Sequence, residues 1–296
     1  MNICATKSLI VLPIFLIIIS SMSCVGETEP LLKIGGIPDQ DASRIARRYG
    51  EFSKYLSDQL GVEVEYVPSV NYAAVVTAFT QDELQIAFFG GLTGVQARLQ
   101  TPGSRAIVQR EHDASFHSKL IANPSLGLTS LEDIAKRAKD LTITFGSESS
   151  TSGHLMPRQF LDQVGINADT DFKSKPNFSG SHDLTWKLVE SGAFDIGALN
   201  EDVWNRATES GKADLSKVET FYTTPAYHDY NWTVRPGLDS VYGQGFTNKF
   251  KNALLDLNMD EHSNILDLFS TEKFVTSDNE NYKDIEDVAR KMGIVK

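Results

Sequence analysis

Four consecutive hydroxyl residues, Ser149, Ser150, Thr151 and Ser152, stand inside the run Gly146-Ser147-Glu148-Ser149-Ser150-Thr151-Ser152-Gly153-His154. A β-type stretch, Leu141 to Phe145, precedes the run. A helical pattern follows it, with Leu155, Gln159, Phe160, Gln163 and Val164 recurring every three or four residues. A strand, a hydroxyl run and a helix start together make a seat for an anion. The first N–H groups of a helix have no partner within it, and the helix dipole places partial positive charge there. A plain Ser/Thr cap is the competing account, but one hydroxyl suffices for a cap. Pro157 lies too deep for the first helical position if Ser150 is the cap, so the spacing predicts an irregular first turn.

Other residues could complete such a seat. Tyr72 falls at a loop-to-helix junction, where its hydroxyl could donate to an anion or simply pack on a strand. Phe88-Phe89-Gly90-Gly91 ends a strand with two glycines, which lets backbone approach a ligand at the carboxyl end of a parallel sheet. His182 follows Ser179-Gly180-Ser181 at a helix start. It could donate a hydrogen bond, more strongly if charged, or serve structure alone. Asn200-Glu201-Asp202 follows a strand and suits a helix cap. Tyr227-His228-Asp229-Tyr230-Asn231-Trp232 is dense in polar and aromatic groups, as a ligand cleft or a covering loop would be. No nucleophile elbow, phosphate loop, HExxH or dinucleotide fingerprint is present, and the six histidines show no metal-ligand spacing. No catalytic residue, metal or cofactor is therefore expected.

The elements that must hold these residues alternate. Leu32 to Ile37 reads as a strand. Ile45, Tyr49, Phe52, Leu56 and Leu60 mark an amphipathic helix ended by Gly61. Strands at 62–67, 84–89 and 105–109 enclose helices at 73–79 and 95–99. After a polar segment the pattern restarts: a strand at 117–122, a helix opened by the capping box Thr129-Ser130-Leu131-Glu132, the strand before the hydroxyl run, and an edge strand near Pro176. A helix follows with Leu184, Leu188 and Val189 on one face, then strands at 194–199 and 218–222 around a helix at 202–208. One more strand is expected at 231–234, and a wholly helical remainder. This predicts an α/β protein with parallel sheets in two lobes. Residues 31–115 and 233–296 form lobe one with a helical tail, and 116–232 form lobe two. The crossings fall near His112–Lys119 and Pro225–Val234.

Residues 1–24 read as an export leader, with Lys7 before an apolar run from Leu9 to Ile19. Ser21-Met22-Ser23-Cys24 is close to a lipoprotein cleavage box, so Cys24 is expected to become a lipidated N-terminus. Cys4 and Cys24 are the only cysteines, leaving the mature chain without a disulfide. Net charge is −11, and loss of Lys7 with the leader makes it −12. Such an acidic exported chain is a poor nucleic-acid binder, and any anion must be held by local donors.

Three of these segments together carry a family resemblance. Ser150-Thr151-Ser152-Gly153-His154-Leu155-Met156-Pro157, with Phe89-Gly90-Gly91-Leu92-Thr93-Gly94-Val95-Gln96-Ala97-Arg98 upstream and Asp229-Tyr230-Asn231-Trp232 downstream, resembles the phosphonate/phosphite-binding proteins of bacterial ABC transporters. The likeness covers essentially the whole mature chain. It implies the two-lobed periplasmic-binding-protein (type II) fold, with a hinge and a ligand cleft between the lobes. It also implies a monomer, not an enzyme, that closes on a small phosphorus oxyanion and docks on an ABC permease in the membrane. Carried over, it implies that Ser150, Thr151 and Ser152 hold phosphoryl oxygens, together with Tyr72, His182, Asp229 and Tyr230. Members that bind aminoalkyl phosphonates add acidic groups for the amine, for which Glu201 and Asp202 are the candidates here. The Gly90-Gly91-Leu92-Thr93 run is closer to members handling phosphite or methylphosphonate. A carboxylate such as Asp229 repels an oxyanion that has no proton to donate, so sulfate should be rejected. Phosphate would be excluded by an apolar wall, with Trp232 and Leu92 as candidates. Rival readings are a phosphate- or aminoalkylphosphonate-selective relative, and a sensor that signals to a membrane receptor.

Overall fold

The strand and helix patterns fold into two sheets joined twice. The computed structural model describes Met1 and residues 30–296, so the leader and Cys24 lie outside the described residues. The first pass of the chain forms Leu32–Gly36 (β1), Ala42–Leu60 (α1), Val64–Tyr66 (β2), Tyr72–Thr80 (α2), Ile86–Phe89 (β3), Gly91–Gln100 (α3) and Arg105–Arg110 (β4). The middle segment forms Ser118–Ala122 (β5), Leu131–Arg137 (α4), Ile143–Phe145 (β6), Met156–Gln163 (α5), Asn177–Phe178 (β7), His182–Glu190 (α6), Ile196–Asn200 (β8), Glu201–Glu209 (α7) and Glu219–Thr223 (β9). The return forms Asn231–Val234 (β10), Leu238–Tyr242 (α8), Phe246–Leu255 (α9), Met259–Phe269 (α10), Phe274–Thr276 (β11) and Lys283–Lys291 (α11).

α1 shows how sequence sets an element. Ile45, Tyr49, Phe52, Leu56 and Leu60 are all buried, each stabilising by about 1.5–3 kcal/mol. The Asp41 side chain accepts from the N–H groups of Ser43 and Arg44 at its start. Gly61 (φ 74°) turns left-handed and donates to Ser57 O at its end.

The first sheet has the order β11-β4-β10-β3-β1-β2 and the second β7-β6-β8-β5-β9. Both are mixed rather than parallel. β10 runs antiparallel to β3 and β4, and β5 antiparallel to β8 and β9. These are the strands entered on crossing. The carboxyl ends of β3, β6 and β8 lead into the loops and helix starts that meet between the sheets. A chain that crosses the gap enters the next sheet at that same edge and must run the opposite way. The two crossings are bonded to each other, with Phe116 N donating to Tyr227 O (2.9 Å) and Tyr227 N to Phe116 O (3.0 Å).

Three local expectations need correction. The helix over 131–137 is capped by Ser130, whose Oγ accepts from Asp133 N, while Asp133 reaches back to Thr129 N; the box sits one residue later than Thr129–Glu132. On α6 the buried face is His182, Thr185, Trp186 and Val189, and Leu184 is 44% exposed. His182 is drawn inward by polar partners, which rotates the helix away from its apolar stripe. The tail is not wholly helical: Phe274 to Thr276 pair with β4 as an edge strand too short to show a period.

Candidate functional site

The hydroxyl run forms a wide turn. Leu155 N donates to Ser150 O (3.0 Å) and Met156 N to Thr151 O, each reaching back five residues. Pro157 explains this. It has no N–H to give Gly153 O, as a regular helix would require, and Gly153 O accepts from Gly146 N instead (2.8 Å). Ser150 Oγ caps the turn through Gly153 N (2.9 Å). Ser150, Thr151 and Ser152 are all buried, with the N–H groups of Thr151 and Ser152 at the open end of the turn.

The first sheet supplies the facing wall. Tyr72 is the first residue of α2, capped by Asn71, and its hydroxyl lies 3.4 Å from His182 Nε2. The N-terminus of α3 also points here. Leu92 N donates to Thr151 Oγ1 (2.9 Å), and Gly91 N donates to Asp229 Oδ1 (2.8 Å). The glycines allow this approach: a Cβ on Gly90 would stand 3.2 Å from Asp229 Oδ1 and 3.3 Å from Thr151 Oγ1.

His182 is neutral, against the expectation that charge would strengthen it. Burial lowers its pKa to about 4, despite the opposing pull of Asp39 and Asp183. Its tautomer does the work instead. Asn200 N–H donates to Nδ1 (3.3 Å), so the ring proton sits on Nε2, facing Tyr72. The histidine's own N–H donates to Asp39 O across the gap (3.2 Å).

Asp229 lies wholly buried in the second crossing. Burial pushes its pKa up to about 7, against the lowering effects of Gly91 N–H and the Thr151 hydroxyl. Its Oδ2 has no hydrogen-bond partner among the described residues. A buried carboxylate oxygen without a donor is costly, and a ligand carrying a proton would satisfy it. Tyr230 sits one layer back. Its hydroxyl accepts from Asn200 Nδ2 (2.8 Å), its ring stacks on Phe88, and Arg110 lies over it, so it fixes the residue that orients His182.

The structure thus brings Tyr72, Ser150, Thr151, Ser152, His182 and Asp229 together, with Tyr230 behind them. It removes three other candidates. Glu201 accepts from His117 N and faces Lys119. Asp202 is held by Arg110 Nη1 (2.6 Å) and His112 Nε2 (3.1 Å). Although burial alone would raise it, the Arg110 guanidinium and the hydrogen bond from His112 keep it well below the usual carboxylate range. Trp232 packs among Tyr49, Phe52, Phe250 and Phe269, in the core rather than on the site. Sequence reasoning missed the part that Asp39 plays here, and read Asn200 only as a cap. Asn200 is the last residue of β8 and Asp39 lies three residues beyond β1, the same strand-end signal that marked Gly90.

A family model described as "ABC transporter, phosphonate, periplasmic substrate-binding protein" matches residues 34–282. The chain belongs to this family. It is 45% identical over 278 residues to the "Probable ABC transporter phosphite binding protein PhnD1" of Prochlorococcus marinus (strain MIT 9301), covering 93% of this chain and 94% of that one. A solved structure of PhnD1 in complex with methylphosphonate superimposes with a TM-score of 0.85, covering 90% of this chain and 99% of that chain. The "Phosphonates-binding periplasmic protein" of Escherichia coli (strain K12) is 23% identical, covering 79% of this chain and 67% of its own. The phosphonate-binding family member described here therefore has the two-lobed type II periplasmic-binding-protein fold and is the substrate-binding part of an ABC transport system. Among the described residues, no helix is long and apolar enough to cross a membrane.

Thr151→Val tests the hydroxyl cradle of this binding protein. The substitution is near in shape but loses the hydroxyl that meets Leu92 N. Ligand affinity is expected to fall roughly ten- to hundred-fold, the worth of a hydrogen bond to a charged group, while apo unfolding stays cooperative. Calorimetric titration reads it, and unchanged affinity would remove Thr151 from the site.

Proposed function

We propose that this protein captures phosphite or a small phosphonate such as methylphosphonate and delivers it to the membrane permease of an ABC importer. The observation that carries this reading is the buried, unpartnered Oδ2 of Asp229 opposite the hydroxyl turn. It asks for an oxyanion that still holds a proton. Monoprotonated phosphite and phosphonates offer one near neutral pH, and sulfate does not. The 45% identity to a phosphite-binding relative, whose solved structure holds methylphosphonate, supports the same ligand class. Ser150, Thr151 and Ser152 then hold phosphoryl oxygens, while Tyr72 Oη and His182 Nε2 donate from either side. Asp202 and Glu201 are engaged elsewhere, so neither is free for an amine, which argues against an aminoalkylphosphonate as the preferred ligand.

We assign residues 31–115 with 233–296 to one moving lobe and 116–232 to the other. The bonded crossings at Phe116 and Tyr227 act as the hinge. The protein performs no turnover in this reading and acts as a monomer. One calorimetric panel of phosphite, methylphosphonate, aminoethylphosphonate, phosphate and sulfate decides the ligand. Phosphite or methylphosphonate should bind tightest, and sulfate clearly more weakly above pH 7, where Asp229 has no proton of its own to donate. Sulfate binding as tight as phosphite would end the proton-reading argument.

Anchoring in the periplasm is a separate proposal. Cys24→Ala is expected to move the protein from the membrane fraction to a soluble or unprocessed form. A wild-type protein that fractionates as fully soluble after export contradicts lipidation.

A further inference from the structure

A cavity of about 550 Å³ opens at the mouth of the cleft, just outside the inner site. Its walls come from both lobes. Arg44 and Arg47 project from α1, and Arg206 and Lys212 come from α7 and the loop after it. Among the described residues, none of the three arginines forms an ion pair. Their hydrogen-bond partners are neutral. Arg44 Nη2 donates to Ser270 Oγ (3.2 Å) and Asp267 O (2.8 Å). Arg206 donates to the same Ser270 Oγ (2.8 Å) and to Gln40 Oε1 (2.8 Å). One hydroxyl therefore holds two guanidiniums from opposed lobes. Burial lowers the Arg44 pKa to about 10, with Arg206 as the next cause. Arg44 Nε is buried without a partner.

Acidic groups share the cavity but are occupied or peripheral. Asp41 caps α1 through Ser43 and Arg44 N–H, and Asp183 accepts from Asp41 N (2.9 Å); Glu209 is exposed at the rim. Asp202, near Arg206, is held by Arg110. In a chain of net charge −11, unpaired arginines facing one another across a moving gap are a repulsion that closure creates.

We infer that this cavity is a second anion site, taking a small multivalent oxyanion of the phosphate or pyrophosphate class that bridges Arg44 and Arg47 of one lobe to Arg206 of the other and favours the closed form. Gln40 links it to the inner site, since its side chain contacts both Arg206 and Asp39. The inference rests on lobe closure and not on which ligand the inner site takes. By linkage, an anion that prefers the closed form must tighten inner-site binding.

Pyrophosphate is the probe, in buffer free of divalent cations, compared with NaCl at matched ionic strength. In the wild-type mature protein it should tighten methylphosphonate binding roughly fivefold or more by calorimetry. It should also raise the unfolding temperature of the ligand-free protein. Both effects should vanish in Arg206→Gln and shrink in Arg47→Gln, an exposed substitution that leaves the lobe contacts intact. Unchanged or weakened methylphosphonate affinity with pyrophosphate overturns the inference, as does an equal gain in the variants. If methylphosphonate does not bind at all, the ligand reading fails, and the thermal measurement alone decides this site: an equal shift in wild type and variants overturns it.

Discussion

Asp229→Asn is expected to cripple ligand capture and at the same time stabilise the empty protein at pH 8. The folded-state pKa of about 7 lies well above the ordinary carboxyl value of 3.8, because the group is buried. Above pH 7 both the folded and unfolded forms are ionised, and the folded form carries the full penalty of a buried charge. As pH falls from about 7 towards 3.8, the folded form takes up a proton before the unfolded form does, and stability rises. The difference amounts to roughly 4 kcal/mol, an upper figure that relaxation reduces. Asparagine removes the charge, so the variant's advantage should be largest at pH 8 and vanish below about pH 4. Denaturant unfolding at pH 5 and pH 8 reads it, and equal wild-type and variant stability at pH 8 would contradict a buried, strained carboxylate.

The binding half of this prediction turns on proton counting. The wild-type complex shares one proton between Asp229 and the ligand. Below pH 7 both free partners hold a proton, so one must leave on binding. Once both are deprotonated, one must be taken up. Affinity should peak near neutral pH and fall on either side. The asparagine variant offers a donor, so its affinity should instead rise as the ligand becomes a dianion. It should bind phosphite roughly ten- to hundred-fold more weakly than wild type at neutral pH and reject sulfate less. Identical pH profiles and equal sulfate rejection in the two proteins would show that Asp229 does not read the proton.

Gly153→Ala is the second large effect. A Cβ at this position would lie 2.8 Å from His182 Cε1, 3.0 Å from Ser150 Oγ and 3.2 Å from Gly146 Cα. None of these can withdraw easily. His182 is held by Asn200 and Asp39, Ser150 by its own cap, and Gly146 by the hydrogen bond to Gly153 O. The variant is expected to lose about 1–3 kcal/mol of stability, and the displaced imidazole should weaken ligand binding at least ~100-fold. Gly50→Ala is the control. It lies exposed in α1 with nothing within 4 Å of its Cβ, so it should leave affinity alone and add about 0.5–1 kcal/mol. If Gly153→Ala binds ligand as tightly as wild type, the packing of His182 against the hydroxyl turn is not what shapes the site.

Local chemistry made some of this legible. The spacing of Ile45 to Leu60 and the Gly61 stop specify α1, and the excess of hydroxyls before Leu155 specifies a turn with donors to spare. Pro157 announced the irregular first turn because a missing N–H is a sequence-level fact. What sequence could not show was which groups meet across the gap. Asn200 reads as a cap, which it is, yet its N–H also sets the His182 tautomer. Asp202 reads as a free acid until Arg110, distant in sequence, is seen against it. Trp232 looked like a site aromatic because Asp229 and Tyr230 precede it, but it shares the face of Tyr230, packs beside it on Phe88 and runs on into the core. The charge state of His182 depended on complete burial, which composition does not reveal.

The sheet order has a consequence for how the molecule comes into being. β4 borders only β10 and β11, and both are made after the whole second lobe. While residues 105–230 emerge, β4 has no strand beside it, and β3 lacks its neighbour on that side. The second lobe is continuous in the chain and meets no such delay. A chain delivered to its compartment amino end first should therefore complete its later-made lobe before its earlier-made one. Pulsed hydrogen exchange during refolding would show β6 and β8 protected ahead of β4, and simultaneous protection would refute that order. The same arrangement makes the segment from 231 onward indispensable to strands laid down more than a hundred residues before it. A chain cut short after residue 230 would carry a finished hydroxyl turn opposite a first sheet without β10 and β11, its facing wall reduced to what β1, β2 and β3 can hold.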